Sequence, residues 1–399
     1  MTEIEKNQIT QEENRVDESE HVAFKVEDYH KQVQAHTQKG SMKRKWIIAI
    51  FVLANVFAIG LTVLLEFNRE GEKYPLSTVL DTWAENYWYV IFAFLCTIVY
   101  LILDSLKYSF MLRKITGKAQ FPLAMKVATI GRYYDNITPL AIGGQPFQVY
   151  YLHKADVPAG ASTAMPIASF FFTQLSQVLL FLVVIIFNHK VITDPAMIWT
   201  SCIGAFFCIF VPFLIVFFSI MPKTAWKITN ACLKLLNKMH IIKDLAKVRK
   251  KVRSFVFDYS RSLQIIAKTR FAVPVVFFLS MLMVVAFNAI PFFVLKACGQ
   301  HIDIITVVSM CLVVNCAISF VPTPGNSGAA EGMFFIVFAG LSGGFLAWGT
   351  ILWRVASYYT IIISGILMLL VSSYRAKKRA SREKQQISEV EVNANEEIQ

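Results

Sequence analysis

Charge is what this sequence has least of. Only 17% of its 399 residues are Asp, Glu, Lys or Arg, against 55% hydrophobic, and mean hydropathy is +0.51. Soluble domains carry about a quarter charged residues, so that class is excluded. Signatures of nucleotide and zinc chemistry are missing too: there is no G-x4-G-K-[ST] phosphate loop, no G-x-G-x-x-G and no H-E-x-x-H. Nucleotide hydrolysis and zinc hydrolysis are left without support, and no cofactor, metal site or catalytic residue is indicated. The 7 cysteines include no Cys-x-x-Cys, and Cys96, Cys202, Cys208, Cys311 and Cys316 lie in apolar runs without a His beside them. They read as small core residues rather than disulfide or zinc partners. The first 45 residues hold 8 Lys/Arg and 9 Asp/Glu and lack an apolar stretch ending in a small-residue cleavage site. No removable signal peptide is expected, so the first span serves as the insertion signal.

Long uncharged runs are what remains: Trp46–Leu65, Val157–Phe187, Trp199–Met221, Phe271–Leu295 and Ile304–Val321. Each reaches or approaches the roughly 20 residues a helix needs to cross about 30 Å of hydrocarbon. The expected fold is all-α, a polytopic integral membrane protein of about eight transmembrane helices, with broken or re-entrant segments near 119–155 and 304–341. Residues 1–45 form a polar tail expected to be disordered, 46–371 the membrane domain, and 372–399 a second polar tail of the same kind.

Basic residues orient this arrangement. Lys43, Arg44 and Lys45 precede span 1 (46–65), and Lys107, Arg113, Lys114 and Lys118 follow span 2 (87–105), with Asp104 at its end read as a boundary residue. Residues 223–270, inside a loop spanning 222–270, hold 13 Lys/Arg and 2 Asp. Arg375, Lys377, Lys378 and Arg379 follow the last span, 346–371. The positive-inside rule puts all these clusters, and both termini, in the cytoplasm of a cell whose plasma membrane the chain spans. A sharper use of the basic loop is docking on anionic lipid or an acidic partner. Residues 74–86 carry apolar residues at helical spacing and are expected at the interface.

Two broken segments stand out, PLAIGGQP (139–146) and PTPGNSG (322–328), each beside an Arg with paired tyrosines: Arg132-Tyr133-Tyr134, and Arg354 with Tyr358-Tyr359. Interrupted segments at corresponding places in two halves point to a transporter's binding site. Freed backbone N–H groups suit an anion such as phosphate, and glycine allows close approach; the bland alternative is two kinked helices. Glu331 and Arg354 lie 11 residues before and 12 after Ser342, the centre of a GLSGG turn. On antiparallel helices they share a depth, and an isolated charge there costs several kcal/mol, so an ion pair or a shared polar ligand is expected. Arg132, Asp135 and Lys126, with Asn136 and Gln145, are charges and amides near the first broken segment; a cytoplasm-wetted interface is their alternative. Ser162, Ser169, Thr173, Ser176, Gln174 and Gln177 make a polar stripe on span 3, which lines a groove or packs helices.

The stretch GRYYDNITPLAIGGQPFQVYYL from Gly131 and PTPGNSGAAEG from Pro322 resemble the flippase-like transmembrane domain of the lysylphosphatidylglycerol synthase/flippase family. The resemblance covers roughly residues 45–372. It implies movement of a polar-headgroup lipid, typically aminoacylated phosphatidylglycerol, from inner to outer leaflet, with resistance to cationic antimicrobial peptides. It carries the family's Gly-Gly-x-Pro onto Gly143, Gly144 and Pro146, its Pro-Gly-x-x-Gly-x-x-Glu onto Pro324, Gly325, Gly328 and Glu331, and its following Arg onto Arg354. Bifunctional members continue into an aminoacyl-transferring domain. Here only 28 residues follow Val371, so synthase activity is not inherited. Related stand-alone proteins are associated with polyprenyl-linked sugars, which leaves a flippase for a polyprenyl-phosphate-linked sugar open as an alternative.

The leading expectation is a flippase that uses no nucleotide. Arg132 and Arg354 would contact phosphate, Glu331 an ammonium or proton, and Tyr133, Asp135, Asn136 and Gln145 would line the groove. Two further alternatives stay open: a membrane-embedded phosphatidylglycerol lysyltransferase using Asp135 and Glu331, and a non-transporting partner that docks a separate headgroup synthase through the basic loop. The expected partner is membrane phospholipid, not nucleic acid.

Overall fold

A computed structural model of the chain describes residues 60, 74–138, 143–188, 195–238, 272–319, 321, 323, 325–340, 343–375 and 378, with scattered positions between 248 and 264. Expected span 1 (46–65), Gly60 apart, lies outside the described residues, as do the N-terminal tail and most of the C-terminal one.

Every regular element among the described residues is helical. Helices α2 (Tyr87–Thr116), α5 (Ala159–Phe187) and α6 (Pro195–Ile220) are long and apolar. So are the pair α8 (Ala272–Asn288) and α9 (Ile290–Ala297), which run on as one span, and α12 (Leu346–Arg375). These five spans have the length and composition to cross a membrane. The remainder are shorter: α1 (Leu76–Glu85), α3 (Phe121–Ile137), α4 (Gly144–His153), α7 (Pro222–Lys238), α10 (Ile304–Ile318) and α11 (Ala329–Phe338). The 15 residues of α10 reach only about 22 Å, so the second broken segment is built from pieces too short to cross alone.

Outward faces are apolar. Leu95, Ile98, Ile102 and Leu106 on α2, Phe206, Phe210, Phe213 and Phe217 on α6, and Ile363, Ile366, Leu367 and Leu370 on α12 are exposed at helical spacing. Faces of this kind in water would drive association, and lipid is the solvent that accepts them. The chain is an all-α, multi-pass membrane protein, as expected.

α2 is the central post, packed against α3, α8 and α9. Its Tyr108, Met111 and Leu112 meet Ala124, Val127 and Ala128 of α3 and Met165 and Ala168 of α5. A second cluster joins Val178 and Phe181 of α5 to Ala205 of α6 and to Leu312 and Val313 of α10. A third joins Cys311 of α10, Phe334 and Phe338 of α11 and Leu346 of α12. The expected interfacial helix is α1, and its Val79 and Trp83 pack on Cys298, Phe345 and Trp348.

The helix of span 2 runs past the expected membrane end near residue 105: α2 continues to Thr116. Its late charges do not stop it, because Arg113 and Lys114 sit in the last turn, where cations suit the carbonyl end of a helix, and Lys107 is neutralised internally.

Candidate functional site

The first charged cluster forms where α2 meets α3. Asp104 has no solvent exposure, and its oxygens are shared. Oδ1 takes Lys107 Nζ at 2.9 Å, one helical turn on, and Oδ2 takes Arg132 Nε at 2.8 Å. Lys107, equally buried, also donates to the Thr173 hydroxyl of α5 at 3.1 Å. Arg132 lies over the Tyr100 ring, and its Nη1 stands 3.7 Å from Asp135 Oδ2. Two acids and two bases cancel, which is how four ionisable groups are tolerated among apolar helices.

Asp135 ties this cluster to the broken segment. Its Oδ1 accepts from the Gly144 N–H at 2.8 Å, and Thr138 Oγ1 accepts from the Gly143 N–H at 2.9 Å. The positive N-terminus of α4 is thus capped by side chains of α3, while Tyr134 and Phe147 stack across the same pair. A side chain at position 144 would run into the Gly131 carbonyl and the Asp135 carboxylate, so this approach requires glycine.

The second cluster repeats the logic. Glu331, in the first turn of α11, accepts from the Gly328 N–H at 2.6 Å through Oε2 and takes Arg354 Nε at 2.7 Å through Oε1. This is half of a capping box, with the acid also serving as counterion. Arg354 points Nη1 at the Gly325 carbonyl, 3.5 Å away, and its Nη2 has no hydrogen-bond partner among the described residues. Gly325 has φ +57°, and a Cβ there would collide with the Tyr358 ring. Tyr358 sits in a π-helical turn, Val355–Tyr359, that follows Arg354 directly. Its hydroxyl donates to the Asn136 carbonyl at 3.3 Å, which joins the second broken segment to the first.

Beside the first cluster is a cavity of about 190 Å³. Arg132, Gln174, Gln177, Asn288, Asn315 and Ser319 give it a polar lining, set among Tyr100, Met283 and Phe287. α2 has its midpoint between Leu101 and Ile102, α5 at Thr173 and the α8–α9 span at Val285. The lining residues of these three spans lie within four positions of those midpoints, about 6 Å along the axes. A polar chamber therefore sits at the mid-length of three membrane-spanning helices. Asn315 donates to Asn288 Oδ1 at 2.7 Å, and Gln177 to the Leu312 carbonyl at 3.0 Å.

Comparison with known proteins adds a second line. The family model described as the lysylphosphatidylglycerol synthase TM region matches residues 41–365. The chain belongs to this family. A UPF0104 membrane protein of Methanocaldococcus jannaschii is also similar, 21% identical over 346 residues that make up 84% of this chain and 95% of that protein.

Set against the sequence expectations, the family member brings several residues together and separates others. Glu331 and Arg354 pair, and Arg132 and Asp135 join one cluster. Asn136 contributes its backbone carbonyl, while its side chain bonds back to the Arg132 carbonyl. Tyr133 packs edge-on to Tyr134 and against Gly365. Gln145 and Pro146 open α4, half-buried and exposed respectively. Pro324 lies outside the described residues. Lys126, flagged as a charge beside the broken segment, is half-buried with its ammonium over the Tyr151 ring.

Asp104 and Lys107 correct the sequence reading: neither is a boundary or loop charge, because α3 and α5 fold over both. The i, i+3 spacing of an acid and a base on an apolar helix was the signal available. The polar stripe of span 3 divides. Thr173, Gln174 and Gln177 line the cavity, whereas Ser162, Ser169 and Ser176 are buried against neighbouring helices. Asn288 and Asn315 had no sequence signal.

Proposed function

We propose that this protein moves a phosphate-bearing polar lipid between membrane leaflets without nucleotide, the headgroup passing through the cavity while the acyl chains stay in lipid. The observation that carries this reading is the polar chamber around Arg132 at helix mid-length. Buried polar volume in a bilayer is costly unless used, and transporters put substrate sites at that depth between broken helices. At about 190 Å³ the chamber is smaller than the roughly 300–1,000 Å³ of pockets that enclose whole drug-sized ligands. It suits a headgroup alone. Arg132 supplies the phosphate contact, the one cationic side chain on the chamber wall among the described residues.

The family resemblance points to lysyl- or another aminoacyl-phosphatidylglycerol as cargo, carried from the inner to the outer leaflet of the plasma membrane, where it shields the cell from cationic peptides. On the positive-inside rule both termini and the 222–270 loop lie in the cytoplasm, where the loop could meet a headgroup synthase. A transferase would need a free base, and its two candidates are otherwise engaged: Asp135 caps α4 and Glu331 caps α11. Transport is favoured on that ground.

The deciding experiment follows an acyl-labelled phosphatidylglycerol and its lysyl form across liposomes containing the full chain. Wild type is expected to exchange leaflets rapidly, with Arg132→Gln at least tenfold slower and Glu331→Gln and Arg354→Ala also impaired. Liposomes in which the wild-type protein moves neither lipid faster than empty ones would sink the reading.

A further inference from the structure

We infer that the cavity beside Arg132 takes a headgroup bearing a phosphate but otherwise uncharged and hydroxylated, such as glycerol or a neutral sugar, in preference to a cationic amino-acid ester. The inference rests on the transport reading above, whose chamber it characterises.

Among the described residues one cation and no carboxylate line the chamber. The acids nearby are spent. Asp104 is divided between Lys107 and Arg132, Asp135 holds the Gly144 N–H and faces Arg132, and Glu331 holds the Gly328 N–H and Arg354. An ammonium entering here would leave water to lie beside the like charge of Arg132, with no counterion unless one of these bonds breaks. Phosphate shares Arg132 with Asp104 and Asp135, but it meets N–H donors there rather than a second cation. With Nε of Arg132 on Asp104, the remaining donor capacity of the guanidinium is at its two terminal nitrogens, and guanidinium–phosphate bonds are among the strongest available.

The rest of the lining is matched to hydroxyls. Gln177 and Asn315 have each donated one amide hydrogen, to Leu312 O and Asn288 Oδ1. What they retain includes acceptor oxygens; Ser319, whose hydroxyl donates to the Cys316 carbonyl at 2.8 Å, can accept, and Gln174 can donate or accept. Such a set reads a polyol.

The test uses the full-length protein in liposomes with three acyl- or prenyl-labelled lipids: phosphatidylglycerol, lysyl-phosphatidylglycerol and a polyprenyl phosphate bearing a neutral hexose. At least one of the two lipids that lack an ammonium is expected to cross ten times faster than the lysyl lipid or more, and which one does so names the source of the phosphate. Gln174→Glu, which puts a carboxylate on the chamber wall, is expected to shrink that ratio below threefold. Lysyl lipid crossing as fast as or faster than both others in the wild type overturns the inference. If nothing crosses, the transport reading fails, and lipid occupancy by native mass spectrometry decides the headgroup question by itself. Preference for phosphatidylglycerol over its lysyl form upholds the inference; equal or reversed occupancy overturns it.

Discussion

Asp104 holds Lys107 on one oxygen and Arg132 on the other, and both it and Lys107 are sealed from solvent. Removing one partner of such a set leaves an uncompensated buried charge. Asp104→Asn is therefore expected to cost about 3–5 kcal/mol and to lower the thermal midpoint in detergent clearly. Adding Lys107→Met to that variant should recover part of the loss, since the orphaned ammonium is then gone; a double variant no more stable than the single one would contradict the pairing. Tyr358 makes a milder prediction. Tyr358→Phe keeps the ring against Gly325 and removes the hydroxyl with its bond to the Asn136 carbonyl, for an expected loss of about 1 kcal/mol in the same melt.

The broken segments depend on how closely helix ends approach. α4 starts against α3 because its first N–H groups find Thr138 and Asp135, and Gly144 leaves room for that contact. Gly144→Ala must push the two helices apart, breaking the cap and moving Asp135 away from Arg132. Leaflet exchange is expected to fall at least tenfold with far-ultraviolet helicity retained. In the second segment Gly325→Ala meets both a left-handed backbone, with a strain of about 1–3 kcal/mol, and the Tyr358 ring. Its melting midpoint should fall further than that of Tyr358→Phe. The π turn at Val355–Tyr359 aims Tyr358 across the joint, and single π turns inside α-helices recur at functional sites.

For the molecule as a unit, the charge of the cargo decides how membrane potential acts. In the proposed transport, which uses no nucleotide, net movement follows gradients. Carrying one elementary charge through 100 mV is worth about 2.3 kcal/mol, or roughly 45-fold at equilibrium. An inside-negative potential imposed by a potassium gradient is expected to drive phosphatidylglycerol outward and to hold the cationic lysyl lipid inside. Equal leaflet distributions of both lipids under that potential would show that a coupled ion supplies the difference.

Composition and hydrophobic run length were enough to read the helical membrane class, and Pro and Gly the two broken segments, whose motifs carried the family resemblance. Each rests on local properties: the apolar length a bilayer demands, and the Pro and Gly that interrupt a helix. Glu331 and Arg354 were also legible, because one turn folds their helices together and equal spacing from it sets equal depth. Asp104 and Lys107 were misread, since a charge near the end of an apolar run looks the same whether it meets water or is covered by α3 and α5. Asn288 and Asn315 were invisible for a related reason: a lone amide in an apolar helix acquires meaning only from the amide that faces it, 27 residues away. Where the chain crosses the membrane is thus written in single runs of residues. The chamber, which needs side chains from six helices to converge, follows from helix packing, and pairwise proximity of that kind leaves no periodic trace in a sequence.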